Sequence, residues 1–397
     1  MTQVELSLPS QNPQHEDPTG FRIGWDHAHH GLVPPPELLL EGTPIGQGWR
    51  AARAVFAGRS CRSCRSWPAT RHTRQWLALR IEAWRAGVEF DLQTVTPNHL
   101  AQIEVSQCPA TRIALGGATD SPSAAQIARL NPHAAYAAGN LAMLSRAADR
   151  AWRGLEVMDL VRRARAAELS PDGPGRATLP GDLGADDLDA ATWWRLAALR
   201  SFATPLPTAE AARLPLAALP PNRARVLNTA QALQALLTWS MASADWCKRM
   251  AEVAAHLPAH SLRTDFNLWV GALAPRVLEA QARGGELQRA LEEAWLGERV
   301  QRRWLHFVLS LGEPACEQLV QRLAELPLPG RKARVMAHEQ AVDGWALPTT
   351  PGTASLAFTV AALPLQAAAQ HRAPRKTART PSVPRPRATT APRPAAR

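Results

Sequence analysis

Between Ser170 and Gly184 the chain reads SPDGPGRATLPGDLG, three prolines and four glycines in fifteen residues. Proline removes a backbone donor and glycine loosens the backbone, so neither a helix nor a sheet ladder is expected to run through this segment. The chain is therefore expected to build one unit before it, over residues 21–169, and another after it, over residues 185–347, joined by a linker at 170–184. Residues 1–20 read as a flexible leader, and residues 348–397 as a Pro/Arg-rich disordered tail with too little apolar surface to fold alone. A length of 397 residues and a hydrophobic content of 46% suit two or three domains with sizeable cores.

The two sides differ in pattern. Before the linker, Trp76, Leu79, Ala83 and Trp84 recur at helical spacing and predict a helix over 71–86. Thr96 followed by Pro97 predicts a helix start, with the end before Cys108-Pro109. Short strands are expected at 112–115, around 127–130 and at 140–144, after which Ser145 caps a long helix reaching about Glu168. From Asp186 to about Leu326 nearly every segment reads as amphipathic helix. In one of them Leu287, Leu291, Trp295, Val300, Trp304, Phe307, Val308 and Leu311 form a single apolar stripe. The expected fold is mainly α with a small α+β unit, followed by an all-helical domain and the tail.

The window Cys108–Trp152 carries the most chemical information. It runs through a cysteine, a hairpin, Arg129-Leu130-Asn131, the turn Tyr136-Ala-Ala-Gly139-Asn140, a short apolar strand and a Ser-capped helix, and it holds the only tyrosine of the chain. This order resembles the degenerate branch of HNH-type endonucleases, a ββα-metal or treble-clef unit, over about 45 residues. The resemblance implies a divalent metal, Mg²⁺ or Mn²⁺, at the scissile phosphate, a base that deprotonates water, and a loop asparagine that braces the hairpin. Carried across, Asn140 takes the loop-asparagine place and Gly139 the turn, while Ala128 and Arg129 fall where the metal-binding Asp and the base belong. Alanine binds no metal and arginine stays protonated, so His133 is the candidate base and Asp149 the candidate helix ligand.

Metal candidates extend further. Cys61-Arg-Ser-Cys64 has zinc-knuckle spacing, with Cys108 as a third ligand and His72 or His99 as a fourth; the alternative is free thiols. His27 and His29 would share one face of an extended segment and could pair on a metal, or they could cap the Trp25 loop. Cys247 and Cys316 lie in helical patterns and read as small buried residues. No P-loop, dinucleotide glycine motif, G-x-S-x-G elbow or HExxH helix occurs, which argues against those enzyme classes.

Net charge is +11, but Arg supplies all except three of the 45 basic residues, as GC-rich coding favours, so position says more than count. Residues 371–397 hold Arg372, Arg375, Lys376, Arg379, Arg385, Arg387, Arg393 and Arg397 and no acid; without those eight the rest carries +3. Such an arm attracts phosphate surfaces. Arg129 and Arg146 with Arg372, Arg375, Lys376, Arg379, Arg385 and Arg387 of the arm form the candidate nucleic-acid-binding set, and DNA is the favoured partner. The expected function is nucleic-acid binding with catalysis lost or residual. The alternatives are a metal-dependent HNH-type endonuclease and a helical protein–protein interaction protein. No apolar run approaches the roughly 18 residues of a membrane span. With no basic and apolar leader and an odd cysteine count, a soluble cytoplasmic protein is expected.

Overall fold

The computed structural model describes residues 17–57, 69–169, 188–282, 286–328, 330–347 and 356–362. Two helices open this part, α1 (Pro18–His29) and α2 (Pro44–Ala57), with Asp17 accepting from the Gly20 amide at the first N-terminus. They cross closely because glycines face backbone: a Cβ on Gly24 would lie 1.9 Å from the Ile45 carbonyl oxygen, and one on Gly48 1.9 Å from that of Phe21. Helix α3 (Arg71–Arg85) packs against α1 and is tied to it by Arg80 Nη1 donating to Asp26 Oδ2 at 2.5 Å. Helix α4 (Pro97–Ile103) starts where the sequence places it, with Thr96 Oγ1 accepting from the His99 amide.

Strands β1 (Ala125–Arg129) and β2 (Leu141–Ser145) pair antiparallel, Ala125 opposite Ser145 and Arg129 opposite Leu141. Ser145 caps α5 (Arg146–Trp152) by accepting from the Ala148 amide. The expected long helix is two helices. Gly154 turns at φ +74, and the chain restarts as α6 (Val157–Glu168), its N-terminus closed by a reciprocal Glu156/Asp159 capping box. The strand expected at 112–115 is absent: Arg112 takes a left-handed φ of 62, leaving only an isolated bridge between Gln107 and Ala114.

Beyond the Pro/Gly stretch come α7 (Ala190–Phe202), α8 (Thr208–Ala211), the short β3 (Arg225–Val226), α9 (Thr229–Met241), α10 (Trp246–Ala255) and α11 (His260–Ala282). The expected 287–311 stripe is carried by α12 (Leu287–Ala294) and α13 (Glu298–Leu311), followed by α14 (Glu313–Glu325). Every residue of α9 is buried, as is every residue of α7 from Thr192 on, so these two helices are enclosed by the others. Trp269, Trp295, Trp304, Phe266 and Phe307 interlock between α11 and the α12–α13 layer, with ring centroids 5.2–5.9 Å apart.

The second half is not all-helical, and the tail does not begin at 348. Strand β4 (Arg331–Ala337) leads into α15 (His338–Ala341), and β5 (Leu356–Ala362) is the middle strand of an antiparallel sheet ordered β3-β5-β4. Phe358 and Val360 are buried beneath it, where a segment with period-2 apolar residues gains a core face. Arg331, Lys332 and Arg334 lie on β4, an edge strand.

Nor does the Pro/Gly stretch divide the packing. One core runs from Cys108, Leu130 and Leu144 through Trp194, Leu236, Trp304 and Phe358, and the chain through Ala362 forms one compact unit. The reason is the turn at 130–140, which is gripped from beyond residue 200. Asn131 Nδ2 donates to the Ala203 carbonyl (3.0 Å), the Arg225 amide to that of Gly139 (3.0 Å), and Trp345 Nε1 to that of Ala138 (3.1 Å). Gly139 stands at φ +90 with Arg225 so close that a Cβ would meet its Cγ at 2.4 Å. Among the described residues no helix is long and apolar enough to cross a membrane.

Candidate functional site

Strands β1 and β2 form a hairpin and α5 follows directly from β2. Asn140, fully buried, braces the 131–140 turn: its Oδ1 accepts from the Asn131 amide (2.7 Å), and its Nδ2 donates to the carbonyls of Asn131 (3.1 Å) and Ala135 (3.0 Å). That leaves its side chain fully engaged within the turn.

Between the hairpin and α5 lies an open cleft of about 260 Å³. Ala128 and Arg129 line it from β1, Asp149, Trp152 and Arg153 from α5 and its end, Tyr136 from the turn, Glu82 from α3 and Arg200 from α7. Asp149 reaches this cleft, but neither His133 nor Asn140 lines it. His133 is on the surface, its side chain 70% exposed and its Nε2 2.9 Å from Glu156 Oε1. The three residues expected to act together therefore do not converge on one concavity, and the metal-dependent arrangement assigned to them lacks its geometry. Asp149 is itself held, accepting from Arg153 Nη2 at 2.5 Å and from Trp152 Nε1 at 3.4 Å.

The arginines of the cleft are placed by packing. Arg129 Nη1 donates to the Pro132 and Ala134 carbonyls (2.6 and 2.8 Å), and its guanidinium lies over the Tyr136 ring at 4.9 Å. Burial and the neighbouring Glu82 carboxylate push the Tyr136 phenol up to about 12, so it stays protonated and donates to Glu82 Oε1. Arg146 lies off the cleft, donating to the Thr119 carbonyl (2.7 Å) and pairing with Asp120 (3.2 Å). Arg200 is 2% exposed, with its guanidinium over the Trp152 ring at 4.3 Å. Arg153 and Arg200 were not singled out by the sequence. An arginine inside the apolar run TWWRLAALRSF is a visible signal, but in a chain this rich in arginine it does not stand out.

Of the expected metal ligands, those among the described residues each have other surroundings and form no group. Cys61 and Cys64 lie outside the described residues, as do Arg372, Arg375, Lys376, Arg379, Arg385 and Arg387. Cys108 is buried, and its Sγ accepts from the Thr111 amide at 3.4 Å. His72 Nε2 stands 2.9 Å from Glu104. His27 is helical rather than extended, its Nδ1 donating to the Ile23 carbonyl (2.8 Å), so it does not share a face with His29. Among the described residues no three His, Cys, Asp or Glu side chains are grouped to hold a metal ion. Cys316 is buried, as expected, while Cys247 is exposed.

A second cleft, of about 450 Å³, is lined by Arg112, Glu292 and Arg331 among others. Glu292 is 1% exposed, and burial raises its pKa, but Arg112, the Leu219 amide and Gln288 all donate to it. With both oxygens engaged, it acts as a tie between the 108–112 turn and α12.

His99 gives this region a pH response. It is 8% exposed and its Nε2 has no hydrogen-bond partner; burial, helped by Arg223 and Arg225, pulls its pKa down to about 4. A folded pKa below the ordinary 6.5 means that its contribution is fully present above pH 6.5 and is lost as pH falls towards 4. The loss at the limit is about 3 kcal/mol. Urea unfolding at neutral and acid pH is expected to show this drop, and His99→Gln, which does not titrate, to remove that part of it.

No family model matches this chain, and neither a curated protein nor a solved structure matches it.

Proposed function

We propose that this chain belongs to the nucleic-acid-binding proteins, built on a ββα unit in which arginine has replaced metal chemistry. Within that class, the reading is of a DNA-binding cytoplasmic protein that grips phosphate and does not cleave it. The observation that supports it is that Ala128 and Arg129, which fall in sequence where the resemblance asks for a metal ligand and a base, both line the cleft between β1 and α5. A guanidinium can hold a phosphodiester bidentately but cannot take a proton from water. Support also comes from the basic arm at 371–397, which carries eight positive charges and no acid.

The test is fluorescence anisotropy of labelled single- and double-stranded DNA across a salt series, comparing the full chain with one ending at Ala362, where the compact unit ends. If all eight arm charges are engaged, the plot of log K against log salt flattens by about 7 on removing the arm from duplex-bound protein. Arg146→Ala, in contrast, is expected to change the slope by about 1. Binding indifferent to salt would refute the reading, and nicking of supercoiled DNA with Mg²⁺ or Mn²⁺ would favour the endonuclease instead.

A further inference from the structure

Arg200 is the least satisfied charge around the cleft. Its Nη2 donates to the Trp152 carbonyl at 3.1 Å, but Nε and Nη1, both buried, have no hydrogen-bond partner. The nearby carboxylates do not serve it: Asp149 is held by Arg153, and Glu82 accepts from Tyr136. Among the described residues no acid stands within ion-pair distance of Arg200, though Glu156 and Asp149 act on it from further away. Burial draws its pKa down to about 10, still far above neutrality, so the charge stays. A buried guanidinium with two nitrogens unpartnered and no ion pair is costly, and an anion that meets it recovers part of that cost.

Three arginines, Arg129, Arg153 and Arg200, face this cleft against two acids, Asp149 and Glu82. The net positive balance favours an anion, and guanidinium forks match phosphate oxygens. At about 260 Å³ the space falls below the roughly 300–1,000 Å³ of pockets that enclose drug-sized ligands, so it takes one phosphate with little more than its sugar. We infer that the cleft is a receptor for a terminal phosphate monoester, with Arg200 as its floor and Arg153 at its rim. Arg153 is 71% exposed on its side chain, so it can exchange Asp149 for the ligand at small cost. Arg200 comes from α7, outside the hairpin and helix, so the site exists only because the chain folds as one unit.

This deepens the nucleic-acid reading, yet the two can fail separately. Full-length protein is titrated with a 5′-phosphorylated oligonucleotide, the same oligonucleotide without the phosphate, and inorganic phosphate as competitor. The phosphorylated strand is expected to bind about ten-fold tighter, and inorganic phosphate to erase the difference. Arg200→Met, which keeps most of the apolar stem, is expected to abolish the preference, and Arg153→Ala to reduce it several-fold. If Arg200→Met does not fold, Arg153→Ala and the phosphate competition decide. Salt-sensitive binding of both strands with equal affinity, unaffected by inorganic phosphate, overturns the site and leaves the DNA reading intact. Saturable inorganic phosphate binding weakened several-fold in Arg153→Ala, with no oligonucleotide binding, upholds the site and overturns the DNA reading.

Discussion

Replacing Trp269 by alanine is expected to cost about 4–5 kcal/mol, the upper range for removing a buried aromatic. Trp269 is fully buried and meets Phe266, Trp295 and Trp304 at centroid distances of 5.3–5.6 Å, so its loss opens a cavity where α11 meets α12 and α13. Rigid rings on three sides cannot collapse into that space. Trp269→Phe is expected to cost under about 2 kcal/mol, because the ring is largely refilled and an indole N–H without a partner is removed with it. Urea denaturation followed by circular dichroism at 222 nm measures both, avoiding the overlapping emission of 14 tryptophans. Equal losses in the two variants would sink the cavity argument.

Asn140→Ala is expected to cost about 3 kcal/mol, since it strands the buried Asn131 amide and the Ala135 carbonyl and takes from the Asn131 carbonyl one of its two donors, leaving the Ala134 amide. Asn140→Asp does no better: it keeps an acceptor for the Asn131 amide but turns a carboxylate towards the carbonyls that Nδ2 served. Both variants should also loosen the turn against Ala203, Arg225 and Trp345, read as faster amide exchange at residues 130–140. A loss of activity in an Asn140 variant therefore reports a collapsed turn, and Arg129 or Arg153 is the better probe of chemistry. A fully stable Asn140→Ala would overturn this account of the turn.

Local chemistry was what the sequence revealed best. Thr96-Pro97 and Ser145 start helices because a hydroxyl in those places satisfies a free amide, and that bond needs nothing from elsewhere in the chain. The Tyr136–Asn140 turn was legible for the same reason. Its grip on Ala203, Arg225 and Trp345 was not, because those bonds span 72 to 207 positions and their partners carry no shared pattern. The boundary at 170–184 failed on this point: proline and glycine interrupt a backbone but say nothing about whether the cores on either side merge. Strand β5 was hidden in a region of Pro, Thr and Ala, where Phe358 and Val360 alone mark its inner face. Of the candidate site, Arg129 and Asp149 were named and meet in one cleft. His133 was placed by nearness in sequence, which does not determine the direction of a side chain.

The position of β5 has a consequence for how the protein comes into being. Helices up to α14 can bury their faces as they emerge during synthesis, but β3 and β4 cannot pair until residues 356–362, the strand between them, have been made. Until β5 docks, the β4 backbone is unpaired and open to strands of neighbouring copies. Arg331, Lys332 and Arg334 place like charges along it, so identical edges repel until the proper strand arrives.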